Sequence, residues 1–209
     1  MGRSLWSLGA DRPERDTAHA PETLRARPHD LPDGLLRAAR RANLDGVPTP
    51  EFILQLREQI GHRDLWLSGA TATVVRQVAG RPAEVLLVRR SDDSSWTPIC
   101  GIVEPGELPS QTVVREAAEE ACVQIEVVRL TRMAVSGTIE YSNRDRCNYL
   151  DHDFLCRWVA GEPRVGDDES TDARFFPLDA LPPLKPRHAR RIEVALAGGP
   201  DVVIEHDPH

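Results

Sequence analysis

Between Gly101 and Val123 the chain reads GIVEPGELPSQTVVREAAEEACV, a run dense in residues that can do chemistry. Glu116, Glu119 and Glu120 fall at i, i+3 and i+4, which places three carboxylates on one side of a helix. Like charges at that range repel by about 1–4 kcal/mol per pair, depending on screening. Water can dissipate that repulsion, and the run is then a solvated acidic face. A hard divalent cation turns it into attraction, because Mg²⁺ prefers carboxylate oxygens. Val114, Ala117, Ala118 and Ala121 recur on the other side of the same helix, so small side chains are expected to anchor it against a sheet. Helix charge alone leaves both readings open.

Other candidates lie outside this run. Arg89 and Arg90 close a predicted strand just before the glycine loop. They meet a substrate phosphate there or simply charge a sheet edge. Asp167, Asp168 and Glu169 form an acidic turn. Asp151 and Asp153 share a strand face, toward either a metal or solvent. Tyr141, Tyr149, Phe154 and Trp158 offer surfaces for stacking a base or for packing a core. Trp96 reads as structural, and His188 as part of a solvated basic helix.

The elements that must position these groups are legible from residue 49 onward. Thr49 and Pro50 suit a helix start, Phe52, Ile53, Leu56 and Ile60 repeat at helical spacing, and Gly61 suits the stop. Residues 70–78 and 83–90 are β-rich and separated by Ala79-Gly80-Arg81-Pro82, a hairpin signal. Residues 125–137, 146–161 and 173–178 read as strands, and 186–199 as a closing helix. Strands and helices alternate without βαβ regularity. The expectation is an α+β fold, a mixed sheet between helices. The expected division is an extension over 1–48, a domain over 49–200 and a tail over 201–209. The extension holds five of the 17 prolines but few apolar anchors, with one short helix at 33–46. Deleting residues 1–46 should leave catalysis intact; collapse of activity or solubility on deletion would show that the extension belongs to the fold.

The 209 residues suffice for one domain with a core. A net charge of −7 argues against a nucleic-acid polymer as partner. Lys185 is the single lysine among 26 basic residues, a bias that reads as codon usage in a GC-rich genome. No apolar stretch approaches a membrane span and the N-terminal residues carry no apolar signal core, so a cytoplasmic location is expected. The four cysteines form no CxxC pair and read as reduced thiols.

The glutamate run resembles the Nudix box. Gly101 is followed at fixed intervals by Glu107, Arg115-Glu116 and Glu119-Glu120. Further stretches, including DLWLSGATATVV and YLDHDFLCRWVAGEP, are similar to bacterial, notably actinobacterial, Nudix hydrolases. The likeness runs from about Pro50 to Gly198. Cys122 departs from it, standing where the family usually has glycine. The resemblance implies metal-dependent hydrolysis of a pyrophosphate link in a nucleoside diphosphate joined to another group, with Mg²⁺ or alternatively Mn²⁺. It implies Glu116, Glu119, Glu120 and the Gly101 carbonyl as metal ligands. Arg115 would orient the carboxylates, Glu107 would brace the loop, and a box glutamate or Glu169 would be the general base. Nucleotide-type small molecules are the implied substrates, and many relatives pair as homodimers. The alternatives are a nucleotide-binding module or regulator with little turnover, and prenyl diphosphate isomerisation. The intact box argues against both.

Overall fold

In the computed structural model, residues 49–141 and 143–207 are described. The short helix expected at 33–46, like the whole 1–48 extension, lies outside them.

Helix α1 (Glu51–Ile60) opens the domain. Pro50, not Thr49, takes the cap position without a side-chain cap, and its carbonyl accepts from Ile53 and Leu54. Gly61 ends the helix at φ 60° as expected. Strand β1 (Leu65–Arg76) and β2 (Glu84–Arg90) form the predicted hairpin, with Val75 opposite Val85. Two short strands follow, β3 (Trp96–Thr97) and β4 (Ile99–Ile102), then helix α2 (Pro109–Ala121). After it come β5 (Gln124–Val135), β6 (Ile139–Glu140), β7 (Arg146–Ala160), β8 (Ser170–Pro177), α3 (Pro186–Ala197) and β9 (Val203–His206).

The strands make one mixed sheet with the central order β3-β2-β1-β7-β5-β9. β1 and β7 run parallel over eleven residue pairs, from Leu65↔Cys147 to Val75↔Arg157. Successive side chains of a strand point to opposite faces, and β2 shows what this does. Leu86 and Val88 pack with Val113, Ala117 and Ala121 of α2. Val85 and Leu87 pack with Ile192 of α3. The sheet is therefore covered on both faces, as expected of an α+β fold with helices outside.

Val203–His206 falls in the stretch expected to be a tail, yet it adds a parallel edge strand to β5. The reason is electrostatic as well as backbone pairing. Arg132 of β5 is fully buried and binds Asp153, Glu205 and Asp207. Two of those three carboxylates come from β9 and the residue after it. Among the described residues, no helix is long and apolar enough to cross a membrane.

Candidate active site

Helix α2 delivers the glutamates. Pro109 suits its first turn, and the Leu108 amide donates to the Gln111 side chain at 2.8 Å. Its buried stripe is Thr112, Val113, Glu116, Ala117, Glu120 and Ala121. Val114 and Ala118, expected on the anchored side, face solvent instead. The helix is rolled so that two carboxylates, at Glu116 and Glu120, lie on the covered side at 5% exposure each. Glu119 stays 37% exposed.

Gly101 makes room for this. It pairs with Ala70 in β4, and a Cβ there would sit 2.1 Å from Glu116 Oε1. Any larger residue would push the Glu116 carboxylate off the strand. Arg115 then organises the acids as a fork. Its Nε and Nη2 donate to Glu107 at 2.9 and 3.0 Å, and its Nη1 to Glu116 at 2.6 Å and Glu119 at 3.1 Å. Glu107 also accepts from Thr112 and from the Glu104 amide. Burial alone would raise Glu107, but the hydrogen bonds from Arg115, Thr112 and the Glu104 amide outweigh it and hold the carboxyl below its usual range. Its geometry is that of a brace.

Glu120 behaves oppositely. Burial pushes its carboxyl well above the usual range, and the charges of Glu116, Cys100, Glu169 and Asp167 push the same way. Glu169 thus joins the site although it lies 49 positions beyond Glu120 in number. The α2 C-terminus explains how. The amides of Arg164 and Gly166 donate to the carbonyls of Ala121 and Glu120, and the Ser91 amide donates to the Glu169 carbonyl. Backbone groups left open at a helix end dock the acidic loop beside the glutamates.

Cys122 closes the helix at φ 56°, ψ 33°, in the left-handed region. A β-carbon there costs about 1–2 kcal/mol. Replacing Cys122 with glycine should therefore raise stability by about 1 kcal/mol. Calorimetry should show a melting temperature higher by about 2–4 °C; a lower one would mean that thiol packing outweighs backbone strain.

Beside the carboxylates lies a cavity of about 250 Å³. Glu116, Gly101 and Glu169 line it, together with Arg90. Arg90 holds Asp92 in a fork at 2.9 and 2.5 Å. Arg89 does not line the cavity; it is exposed and donates to the Ser94 carbonyl at 3.1 Å. Strand alternation separates the two arginines, so Arg89 is corrected from a substrate contact to a loop tie. Replacing Arg90 with glutamine should raise KM about tenfold or more, the scale of a lost charged hydrogen bond, whereas Arg89→Gln should stay near wild type. Equal effects would refute the assignment.

Two further expectations are corrected. Asp151 and Asp153 are turned from solvent into a buried ion network, and Asp151 also lines the cavity. Arg191 binds Asp151 at 2.5 Å and approaches Asp153 at 3.6 Å and Asp207 at 3.7 Å. His188 is buried at 3% exposure and contacts Thr97 Oγ1. Tyr149 and Phe154 belong to core clusters, and Trp158 packs edge-on against Phe175. Tyr141 and Tyr149 join through their hydroxyls at 2.8 Å and line the cavity.

The donor set suits a hard cation: carboxylate oxygens at Glu116, Glu119, Glu120 and Glu169, with a glycine cradle beneath Glu116. Among the described residues, no group of three His, Cys, Asp or Glu side chains stands in ion-holding geometry as it is. Arg115 takes up Glu116 and Glu119 instead.

The NUDIX domain model matches residues 67–195, more than half of the chain. The chain belongs to the NUDIX family. Among curated NUDIX relatives, YjhB of Bacillus subtilis, provisionally named an ADP-ribose pyrophosphatase, is 34% identical over 114 residues, 54% of this chain and 53% of YjhB. The NAD-capped RNA hydrolase NudC of Pseudomonas aeruginosa is 36% identical over 109 residues, 50% of this chain and 35% of NudC. The chain thus spans about half the length, or less, of these relatives. Among solved structures, a UDP-X diphosphatase superposes with a TM-score of 0.51 at 21% identity, covering 74% of each chain. A NUDIX hydrolase from Nitrosomonas europaea gives 0.50 at 21% identity, over 67% of this chain and 78% of its own. These two show the NUDIX fold.

Proposed function

We propose that this chain hydrolyses the pyrophosphate link of a nucleoside diphosphate joined to another group, such as an ADP-ribose-type molecule or a nucleoside triphosphate, with Mg²⁺ or Mn²⁺. The observation that carries the reading is the pair of Glu116 and Glu169 carboxylates on the wall of one cavity, with Glu120 buried one turn on from Glu116 in α2. Glu116, Glu119, Glu120 and the Gly101 carbonyl would hold the cation. When bound, it would neutralise phosphate oxygens and make a coordinated water more acidic. Glu169, in the proposed assignment, accepts the proton of the attacking water. Arg115 keeps Glu116 and Glu119 aimed, and Arg90 receives a phosphate oxygen. The names of YjhB and NudC support substrates with a diphosphate bridge.

A phosphate-release screen over ADP-ribose, dinucleotides, nucleotide sugars and nucleoside triphosphates, with Mg²⁺ or Mn²⁺, tests the proposal. Metal-dependent release from one class is the expected result; binding without release supports the second reading, a nucleotide-binding module. That second reading rests on Arg115 occupying Glu116 and Glu119. Four free thiols among the described residues support a cytoplasmic location.

A further inference from the structure

We infer that Arg187, at the start of α3, is a dedicated anion-binding residue that takes the phosphate of a diphosphate lying away from the carboxylate cluster. The inference deepens the hydrolase reading and rests on the same cavity.

Four arginines line that cavity: Arg57, Arg90, Arg187 and Arg191. Arg57 pairs with Asp145, Arg90 with Asp92, and Arg191 with Asp151. Among the described residues, Arg187 is the lining arginine with no carboxylate partner. A guanidinium facing a partly covered cavity without a counter-ion is a poor arrangement unless an anion completes it.

The side chain is also aimed. Thr97 Oγ1 donates to the Pro98 carbonyl at 2.9 Å, so its remaining role toward His188 Nδ1, 3.3 Å away, is to accept. That fixes the proton of His188 on Nδ1 and leaves Nε2 as an acceptor. Arg187 Nε donates to Nε2 at 3.4 Å. Burial, then the charges of Arg191, Arg187, Lys185 and Arg90, hold His188 down at about 2, so it remains neutral and able to accept. The two Nη groups of Arg187 are left for a ligand, in the geometry that suits phosphate.

Arg90, Tyr141 and Arg187 line this one cavity together. Glu116 and Glu169 line the same cavity as Arg187. A diphosphate whose cation meets those carboxylates extends its other phosphate to the Arg187 guanidinium.

Methylenediphosphonate, a non-hydrolysable bridged diphosphate, tests this without turnover or a known base. With Mg²⁺ present, titration calorimetry on the full chain should show binding to wild type. Arg187→Gln should weaken it about 10- to 100-fold, as for loss of charged hydrogen bonds. Arg187→Lys should recover part of the loss, keeping charge but not the fork. Inorganic phosphate should be affected much less, because one phosphate stays with the cation. Thermal melts of both variants should match wild type. No binding to wild type at millimolar concentration, unchanged affinity in Arg187→Gln, or equal losses for both anions would overturn the inference. A protein inactive in the release screen whose diphosphonate binding still depends on Arg187 would sink the hydrolase reading alone.

Discussion

Replacing Glu120 with glutamine is expected to cut Mg²⁺-dependent hydrolysis by well over tenfold, with the fold intact. Even disturbing a group that only supports a metal ligand costs about 10–100-fold, and Glu120 is proposed as a direct one. Glu119→Gln should behave alike, since Arg115 already ties Glu119 to Glu116. The stability signature of Glu120 is opposite in sign to its activity signature. Its folded carboxyl sits above the usual range. Without metal, the folded state therefore holds that proton more tightly than the unfolded chain does. Wild type then loses stability as pH rises through the window between those two values, and keeps it below the unfolded value. Glu120→Gln carries no ionisable group there, so without metal it should melt higher than wild type at alkaline pH. Adding Mg²⁺ should reverse the order. A cation present at a hundred times its dissociation constant stabilises wild type by about 2.7 kcal/mol, and the variant should gain far less. Wild-type activity in both variants, with an unchanged Mg²⁺-induced shift, would falsify the ligand assignment.

Arg132→Met should cause the largest loss of stability. The guanidinium is fully buried and holds Asp153 at 2.7 Å, Glu205 at 2.6 Å and Asp207. Methionine fills much of the volume but leaves the buried Asp153 and Asp207 carboxylates without this partner. Removing one side of a buried ion pair costs about 3–5 kcal/mol. For a domain of this size that lowers the melting temperature by about 6–20 °C. Arg191 offers a partial substitute, lying 3.6 Å from Asp153 and 3.7 Å from Asp207, so the outcome is destabilisation more than failure to fold. Scanning calorimetry decides it: a melting temperature within a degree or two of wild type would show that β9 is held by backbone pairing alone.

The glutamate run was legible because helical spacing needs no tertiary information, and the same is true of the hairpin from Leu65 to Arg90. The roll of α2 was not legible. Val114 and Ala118 are as apolar as Ala117 and Ala121, and nothing local says that Glu116 and Glu120 will be turned inward at the expense of a valine. The burial of Glu116 is tolerated because Arg115 and the glycine at 101 meet it, both contributions from the packed arrangement. Glu169 was visible only as part of an acidic turn. Its delivery depends on amides of Arg164 and Gly166 finding the end of α2, a contact no periodicity encodes. The basic helix 186–197 misled for a similar reason. Arg191 and His188 look solvated in isolation, but their partners Asp151, Asp207 and Thr97 arrive from β7, from beyond β9 and from β3. Val203–His206 is short and only half apolar, so its place in the sheet rests on Arg132 more than on its own pattern.

That dependence has a consequence for how the polypeptide matures. Asp207 follows Arg132 by 75 positions. At about 5–20 residues per second of synthesis, on the order of 4–15 s separate the appearance of the cation from that of its last counter-charge. During this interval the nascent β5 carries an arginine that has Asp153 still to come and then only that one acid for company, and its outer edge stays unpaired. Translation thus sets a minimum wait before the sheet can seal, and stalled fragments lacking the final acidic strand should be the natural prey of chaperones and proteases.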